Sequence, residues 1–327
     1  MGIKNLTSLI KSKSPDAIET KGLYTLKDKK IAIDASILIY KSLSNVRKDN
    51  AYLTNKEGKV VSHIFGLFHK AIQFLSFGIE PIFVFDGKPP DEKKGVILER
   101  NKKANASKLL MDKTEDNEEK KKLEKSTIRI KKEYINDLKK LFTLMGISYV
   151  HPDCEAETYA AYLCKQNIVY GVYSEDMDTL AFGSPYLIRN CIDKSIKRRD
   201  AISVFSLEKL LEGFEMNYEQ FVELCILSGC DYCGTIPRIG NVRAFSGMQK
   251  FTNATDFIHS LDPNNVPENY LMKLTKAKSL FIEINFEDSQ IISSTKNDEK
   301  LIEYLIKDCD MSLNRVQNAL KKIIKLV

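Results

Sequence analysis

Val169 to Leu180 reads VYGVYSEDMDTL: an apolar run that ends in three acids within four positions. The arrangement repeats along the chain. Asp34 closes KIAID, and Asp86 closes PIFVFD. Glu155 and Glu157 stand in CEAET at the start of a helical stretch, and Asp231 follows the apolar helix ending LCILSG. In a parallel α/β sheet the carboxyl ends of the strands lie along one edge, where ligands bind. Acids leaving several strands therefore converge there. Converged carboxylates repel, and hard divalent cations remove the repulsion. Mg²⁺ prefers oxygen ligands and keeps several waters, so a shallow bowl of carboxylates suits it. Two such ions about 4 Å apart activate a water and stabilise the leaving oxygen of a phosphodiester.

Taken singly, each acid has a plainer reading. Asp34, Asp86 or Ser174 could serve as a helix N-cap. Glu155 and Glu157, two apart, do not share a face of a regular helix, so both reach one site only if Glu155 sits at or before the cap. A rival chemistry uses the same stretch, because Asp176 to Leu180, DMDTL, approaches D-x-D-x-T with its Thr one place early, the motif of haloacid-dehalogenase-type phosphatases with Asp176 as covalent nucleophile. That chemistry also needs a late acidic pair at a strand end. Asp308 and Asp310 instead lie among predicted helices, and Asp34, Asp86 and the E-x-E stay unexplained.

The elements that must position these acids alternate. Strands are expected at 30–34, 81–86, 169–173 and 186–189, with helices at 35–47, 62–77 and 133–146. The fold class is α/β, a twisted, mostly parallel sheet flanked by helices. Residues 91 to about 132 are dense in Lys, Glu and Asp, which suits either a solvated helix or a helical element over a charged cleft. Beyond 215 the pattern is helical throughout, at 217–229, 239–250, 269–281, 298–307 and 311–325.

A chain of 327 residues with 43% apolar and 29% charged residues buries a real core, and its net charge of +6 suits a polyanionic partner. Seven cysteines without regular spacing indicate free thiols in a reducing compartment. Cys230 and Cys233 form a C-x-x-C with no second pair, and read as ordinary thiols. His63 and His69, six apart, are poorly spaced as ligands and read as structural or exposed. No apolar run is long enough for a membrane span, no signal peptide is evident, and Leu6 breaks the myristoylation pattern after Met-Gly.

The acids are embedded in longer segments: MGIKNL at 1–6, IAIDASILIY at 31–40, FVFDGKPP at 83–90, EAE at 155–157, EDMDTLAFGSP at 175–185 and FVELCILSGCDYC at 221–233. Together they resemble the flap structure-specific endonucleases of the XPG-type 5′ nuclease family. The resemblance runs from residue 1 to the C-terminal helices. It implies a PIN-like nuclease domain with a helical arch and a helix–two-turn–helix element. It further implies Mg²⁺-dependent removal of 5′ flaps, with 5′→3′ exonuclease activity, in Okazaki-fragment maturation and repair. Two metal ions per site are implied, with Mn²⁺ as substitute, held by Asp34, Asp86, Glu155, Glu157, Asp176, Asp178 and Asp231. A 5′ exonuclease or Holliday-junction resolvase of the same family is the alternative.

The resemblance makes Lys93 and Arg100, at the arch base, the cations facing the scissile phosphate. Their spacing of seven puts them on one helix face. Tyr40, Arg47, Lys70, Glu155, Gly229, Asp231 and Gly240 match DNA-contacting positions. IPRIGNVRA at 236–244 matches the duplex-gripping element, with Gly240 kept and Arg238 where the family has Gly. Arg lacks the backbone freedom of Gly, so the resemblance does not by itself carry over the turn geometry or a bound K⁺. Arg238 would instead contact phosphate itself. Lys56 and Lys59 flank the single Glu57 where the family has an acidic cluster beside a 3′-flap pocket, so 3′-flap preference is not implied. Gln317 to Ile324 lacks the aromatic pair of a sliding-clamp peptide and reads as an ordinary helix.

The expected organisation is a nuclease region with the start of the arch over 1–107, the arch over 108–132, a second nuclease region over 133–253 and C-terminal helices over 254–327. The expected state is a monomer acting on branched DNA with a 5′ flap. The expected location is the nucleus in a eukaryotic source, otherwise the cytoplasm or a viral replication site.

Overall fold

The computed structural model describes residues 2–324 apart from 49–50, 112, 115, 284–285 and 287–288. Its centre is a seven-stranded sheet: β1 (Ile18–Gly22), β2 (Lys30–Asp34), β3 (Glu80–Val84), β4 (Ser148–Val150), β5 (Gly171–Tyr173), β6 (Tyr186–Asn190) and β7 (Ala201–Ser206). Their order across the sheet is β1-β7-β6-β5-β2-β3-β4. The pairs β2·β3, β2·β5, β3·β4 and β5·β6 are parallel, whereas β1·β7 and β6·β7 are antiparallel. The sheet is thus mostly parallel, with an antiparallel flank.

Alternation along the central strands explains the two cores. Ile31, Ile33 and Phe83 point into one cluster with the helices Ala35–Asn45, Ser62–Ser76 and Lys132–Met145 and the C-terminal helices. Ala32, Ile82 and Val84 point to the other face, against the helix Ala156–Lys165. Strands buried on both faces read as unbroken apolar runs, which is why β2 and β3 are legible in the sequence. A further apolar cluster, built on Phe205, Phe214, Phe221 and Leu224, ties the antiparallel flank to the helices after residue 206.

Register sets up the functional edge. Asp34 pairs with Val84, two residues before Asp86, and Ile33 pairs with Tyr173, so Asp34 lies level with Ser174. Three neighbouring strands therefore release their acids side by side. Strand β3 ends at Val84, two residues earlier than the sequence suggests, so Asp86 lies two residues beyond the strand.

Above this edge the charged segment forms two helices, Lys94–Met111 and Asn117–Thr127, packed on each other. The 107/108 boundary expected from sequence falls inside the first of them. Asp112 and Glu115, within the expected arch, lie outside the described residues, as do Met1 and residues 325–327, which include the expected end of the last helix at 325. Two contacts dock the second helix on the body: Arg47 Nη1 meets Glu124 Oε2 at 2.5 Å, and the Tyr40 hydroxyl donates to the Lys125 carbonyl at 2.8 Å.

Several expected elements differ in detail. The helix expected to reach 47 stops at Asn45, where Arg47–Lys48 pairs with Ala51–Tyr52. The helix expected at 298–307 is an α-helix to Glu303 followed by a π-turn over Tyr304–Asp308. Val316, Ala319 and Leu320 are buried, so the Gln317 to Ile324 segment uses its Leu as core. No described helix is long and apolar enough to cross a membrane.

Candidate metal-dependent active site

All seven acids predicted from sequence meet at the carboxyl edge of the sheet, joined by short contacts. The Ser174 hydroxyl donates to Asp34 Oδ2 at 2.9 Å and accepts from the Asp176 amide at 3.0 Å. The Asp178 amide donates to Asp176 Oδ1 at 3.1 Å. Glu157, Asp176 and Asp178 each place a carboxylate oxygen within 4.8 Å of the others. Asp86 Oδ1 accepts from the Ala156 amide at 2.8 Å, which ties β3 to the E-x-E. The geometric condition on the E-x-E is met: Glu155 is the N-cap residue of the helix Ala156–Lys165 with β-region backbone, and Glu157 lies in its first turn. Leaving the helical path at Glu155 lets both side chains face one point.

Lys93 Nζ sits among Glu155 at 2.5 Å, Glu157 at 3.3 Å and Asp231 at 3.5 Å. Arg100 Nη2 donates to both oxygens of Asp231, at 2.8 and 2.9 Å. Lys93 belongs to the 3₁₀ turn Asp91–Lys93 rather than to the helix that carries Arg100. The expected common helix face is therefore absent, although both cations reach the same carboxylates.

The electrostatics follow from burial. Burial and then the Asp86 charge push Asp34 up to about 7. Burial also raises Glu157 and Asp178 well above the carboxylate range, against the opposing pull of Lys93. Burial alone would lower Lys93, but Glu157 and Glu155 outweigh it and keep the ammonium charged. Asp178 is fully buried, and its Oδ2 has no hydrogen-bond partner. A buried, orphaned carboxylate oxygen is costly unless something positive meets it. Oxygen donors gathered this closely suit a hard divalent cation, so the residues present fit such an ion.

Asp34 yields a pH prediction. Its folded pKa lies above the unfolded value of about 3.9, so its contribution is full below that value and is lost as pH rises through about 7. Above pH 7 the charged carboxylate burdens the folded protein. Asp34→Asn removes the charge yet keeps the cap acceptor for the Ile37 amide. In EDTA at pH 8 the variant is expected to melt about 5 °C above the parent, with the gap closing toward pH 4. Scanning calorimetry at both pH values checks this, and an equal gap at both contradicts the assignment.

Other predicted positions are placed as follows. Tyr40 is partly exposed beside the arch. Arg47 lies over the Tyr52 ring at 4.9 Å and is held by Glu124. Lys70 lies over the rings of Phe74 and Tyr173 and is lowered to about 8 by burial. Gly229 has φ +106 and its carbonyl accepts from the Lys4 amide. Gly240 caps the helix Asn241–Lys250 with nothing within 4 Å of where a Cβ would stand. Arg238 keeps the left-handed backbone, φ +66, so the turn survives the loss of Gly. Lys56 and Lys59 are both engaged: the Lys56 amide donates to Asp310, and Lys59 pairs with Asp137 at 2.6 Å. The fully buried His63 pairs with the same Asp137, so it is structural and not exposed. All seven cysteines are free, and burial pushes Cys230 up to about 12, consistent with an inert thiol.

Sequence reading gave Gly2, Ile3 and Tyr232 no role at the site and read Ser174 only as a possible helix cap. Gly2 has φ +78, and a Cβ there would fall 1.8 Å from Asp176 Oδ1. The neighbouring Ile3 amide donates to Asp178 Oδ1 at 2.8 Å. Ser174 bridges two acids, and Tyr232 contacts Glu155. Their available signal was adjacency: each lies beside an acid or inside a quoted segment.

These features define the class. Residues 1–107 match the XPG N-terminal domain and residues 146–231 the XPG I-region. Flap endonuclease 1 of Danio rerio is 37% identical over 99% of this chain and 87% of its own length. That of Drosophila yakuba is 38% identical over 99% and 85%. The chain belongs to the flap endonuclease family. The solved flap endonuclease-1 of Methanococcus jannaschii superposes with a TM-score of 0.71 at 26% identity, covering 94% of this chain and 96% of that one. The catalytic core of Rad2 in complex with DNA substrate shares the fold, with a TM-score of 0.75 at 21% identity and full coverage of both chains. Membership of this family removes the phosphatase alternative. Asp308 and Asp310, which that alternative would need at a strand end, pair with Lys140 and Lys56 instead.

Proposed function

We propose that this protein is a structure-specific 5′-flap endonuclease, with 5′→3′ exonuclease activity, that hydrolyses DNA phosphodiesters with Mg²⁺ during replication and repair. The observation that carries the reading is the convergence of seven acids from distant parts of the chain, with Lys93 and Arg100 among them, at the sheet edge beneath two arched helices. Asp34, Asp86, Glu155, Glu157, Asp176, Asp178 and Asp231 would hold the ions, directly or through water, and Mn²⁺ would substitute. When bound, the ions supply an activated water and neutralise charge on the phosphodiester. Lys93 and Arg100 present fixed positive charge at the mouth of the basin, where charge grows on the scissile phosphate. Tyr40 offers an aromatic face at the arch base for a terminal base to stack on. Specificity would come from the shape of the junction, since these contacts address phosphate and ring faces rather than base edges.

The duplex is gripped at Gly240 to Ala244. The helix begins at Asn241, with open space around the Gly240 Cβ position and exposed Arg238 and Arg243 beside it, so its N-terminal amides suit a phosphate. A non-glycine residue at φ +66 stores about 1 kcal/mol. Arg238→Gly is therefore expected to raise the melting temperature slightly and to weaken duplex binding, lowering the salt slope by about one. Anisotropy titrations across a salt series check this; tighter binding with an unchanged slope contradicts a phosphate contact at Arg238.

The test of the function is a cleavage panel of labelled flap, nicked, blunt and four-way substrates, with and without Mg²⁺. Strong preference for the 5′ flap, and dependence on Mg²⁺, are expected. Preference for the four-way substrate would make the protein a resolvase, and preference for blunt or nicked ends an exonuclease. No cleavage under any condition would sink the reading.

A further inference from the structure

Glu155 owes its place in the basin to side-chain contacts rather than to helix geometry. It sits outside the helix it precedes, and its side chain makes no capping hydrogen bond. Two groups hold its carboxylate: Lys93 on one oxygen, and the Tyr232 hydroxyl, which donates to Oε2 at 2.9 Å. These holders differ in kind. Lys93 is a point charge on a flexible four-carbon stem. Tyr232 is 5% exposed, and its ring stands edge-on to Phe182 and Phe281, both essentially buried, at centroid distances of 6.1 and 5.2 Å. Its hydroxyl is therefore fixed by packing. Lys93 Nζ also lies 5.5 Å over the same ring. Tyr232 follows Asp231 directly, so one short segment supplies a carboxylate to the basin and the group that aims another.

We propose that Tyr232 is a positioning residue, whose hydroxyl keeps Glu155 turned into the basin as a cation ligand. This rests on the metal-dependent reading above. The Tyr232 O–H donor occupies one lone pair on Oε2, as outer-shell partners of ligating carboxylates do, while Lys93 meets Oε1. Should Lys93 turn toward phosphate, the Tyr232 contact would remain.

Tyr232→Phe deletes the donor and keeps the ring. Calorimetric titration of Mg²⁺ into the protein without DNA is expected to show about tenfold weaker binding, within the range for outer-shell changes. The Mg²⁺ concentration for half-maximal flap cleavage should rise by the same factor, while the melting temperature in EDTA stays unchanged. In a Glu155→Gln background, Tyr232→Phe should have no further effect on Mg²⁺ binding, because the two residues act as one unit. Three outcomes overturn the inference: equal Mg²⁺ affinity in parent and Tyr232→Phe, an undiminished Tyr232→Phe effect in the Glu155→Gln background, or a lower melting temperature in EDTA without any change in affinity. If the parent protein itself binds no Mg²⁺, the metal-dependent reading fails first, and the two failures are thereby told apart.

Discussion

Asp178→Ala is expected to abolish flap cleavage, a loss of at least about 10³-fold, while junction binding measured in Ca²⁺ persists. The expectation follows from the position of this carboxylate. It is fully buried, one oxygen accepts from the Ile3 amide, and the other meets no donor. A buried acid beside Asp176 and Asp231 has no structural reason to stay ionised, and its pKa is raised well above the carboxylate range by burial and then by the Asp176 charge. Removing it relieves repulsion, so the variant should fold. Asp178→Asn keeps the acceptor for Ile3 and should be as inactive as the alanine variant, which separates loss of charge from loss of the hydrogen bond. Single-turnover cleavage together with anisotropy binding checks both variants, and full activity in either would refute the assignment of Asp178 to the metal site.

Lys93→Ala is expected to lower the single-turnover rate by about 10² to 10³-fold at saturating Mg²⁺, with flap affinity changed far less. The variant carries a second signature. Lys93 is the ammonium that three carboxylates share, and removing one partner of a buried ion pair leaves uncompensated charge at a cost of roughly 3–5 kcal/mol. Its melting temperature in EDTA at pH 8 should therefore fall below that of the parent and recover on adding Mg²⁺. A rate loss without this Mg²⁺-reversible instability would mean that Lys93 acts on the phosphate alone and not as counter-charge to the acids.

The parts of the fold legible in the sequence were those set by local patterning. Strands β2 and β3 are apolar on both faces and end in acids, and the helix Lys132–Met145 ends at Gly146, whose φ of +68 fits a left-handed cap. Strand β1, IETKG, has little apolar content and is half exposed, because it lies at the sheet edge and is defined by its antiparallel partner β7. Strand β7 itself, AISVFS, and the three-residue β4 were also missed; the first lies in the antiparallel flank, which simple alternation of strand and helix does not anticipate, and the second is held by β3 alone within the sheet. At the site, the acids were visible because strand ends mark them. Gly2, Ser174 and Tyr232 were not, since each acts on a residue that folding brings to it: Gly2 meets Asp176, Ser174 meets Asp34, and Tyr232 meets Glu155. Lys93 and Arg100 were placed by family resemblance, and neither helical spacing nor charge density would have singled them out from the other basic residues of the arch.

The basin draws its carboxylates from position 34 through position 231. A polypeptide still being translated therefore holds its earliest acids long before the last one emerges. Residues 1–231 must leave the ribosome before Asp231 can join Lys93 and Arg100. Products of interrupted synthesis, or of proteolysis within that span, would lack part of the cutting centre. The order of residues along the chain thus leaves the basin incomplete until Asp231, its last carboxylate, has been made.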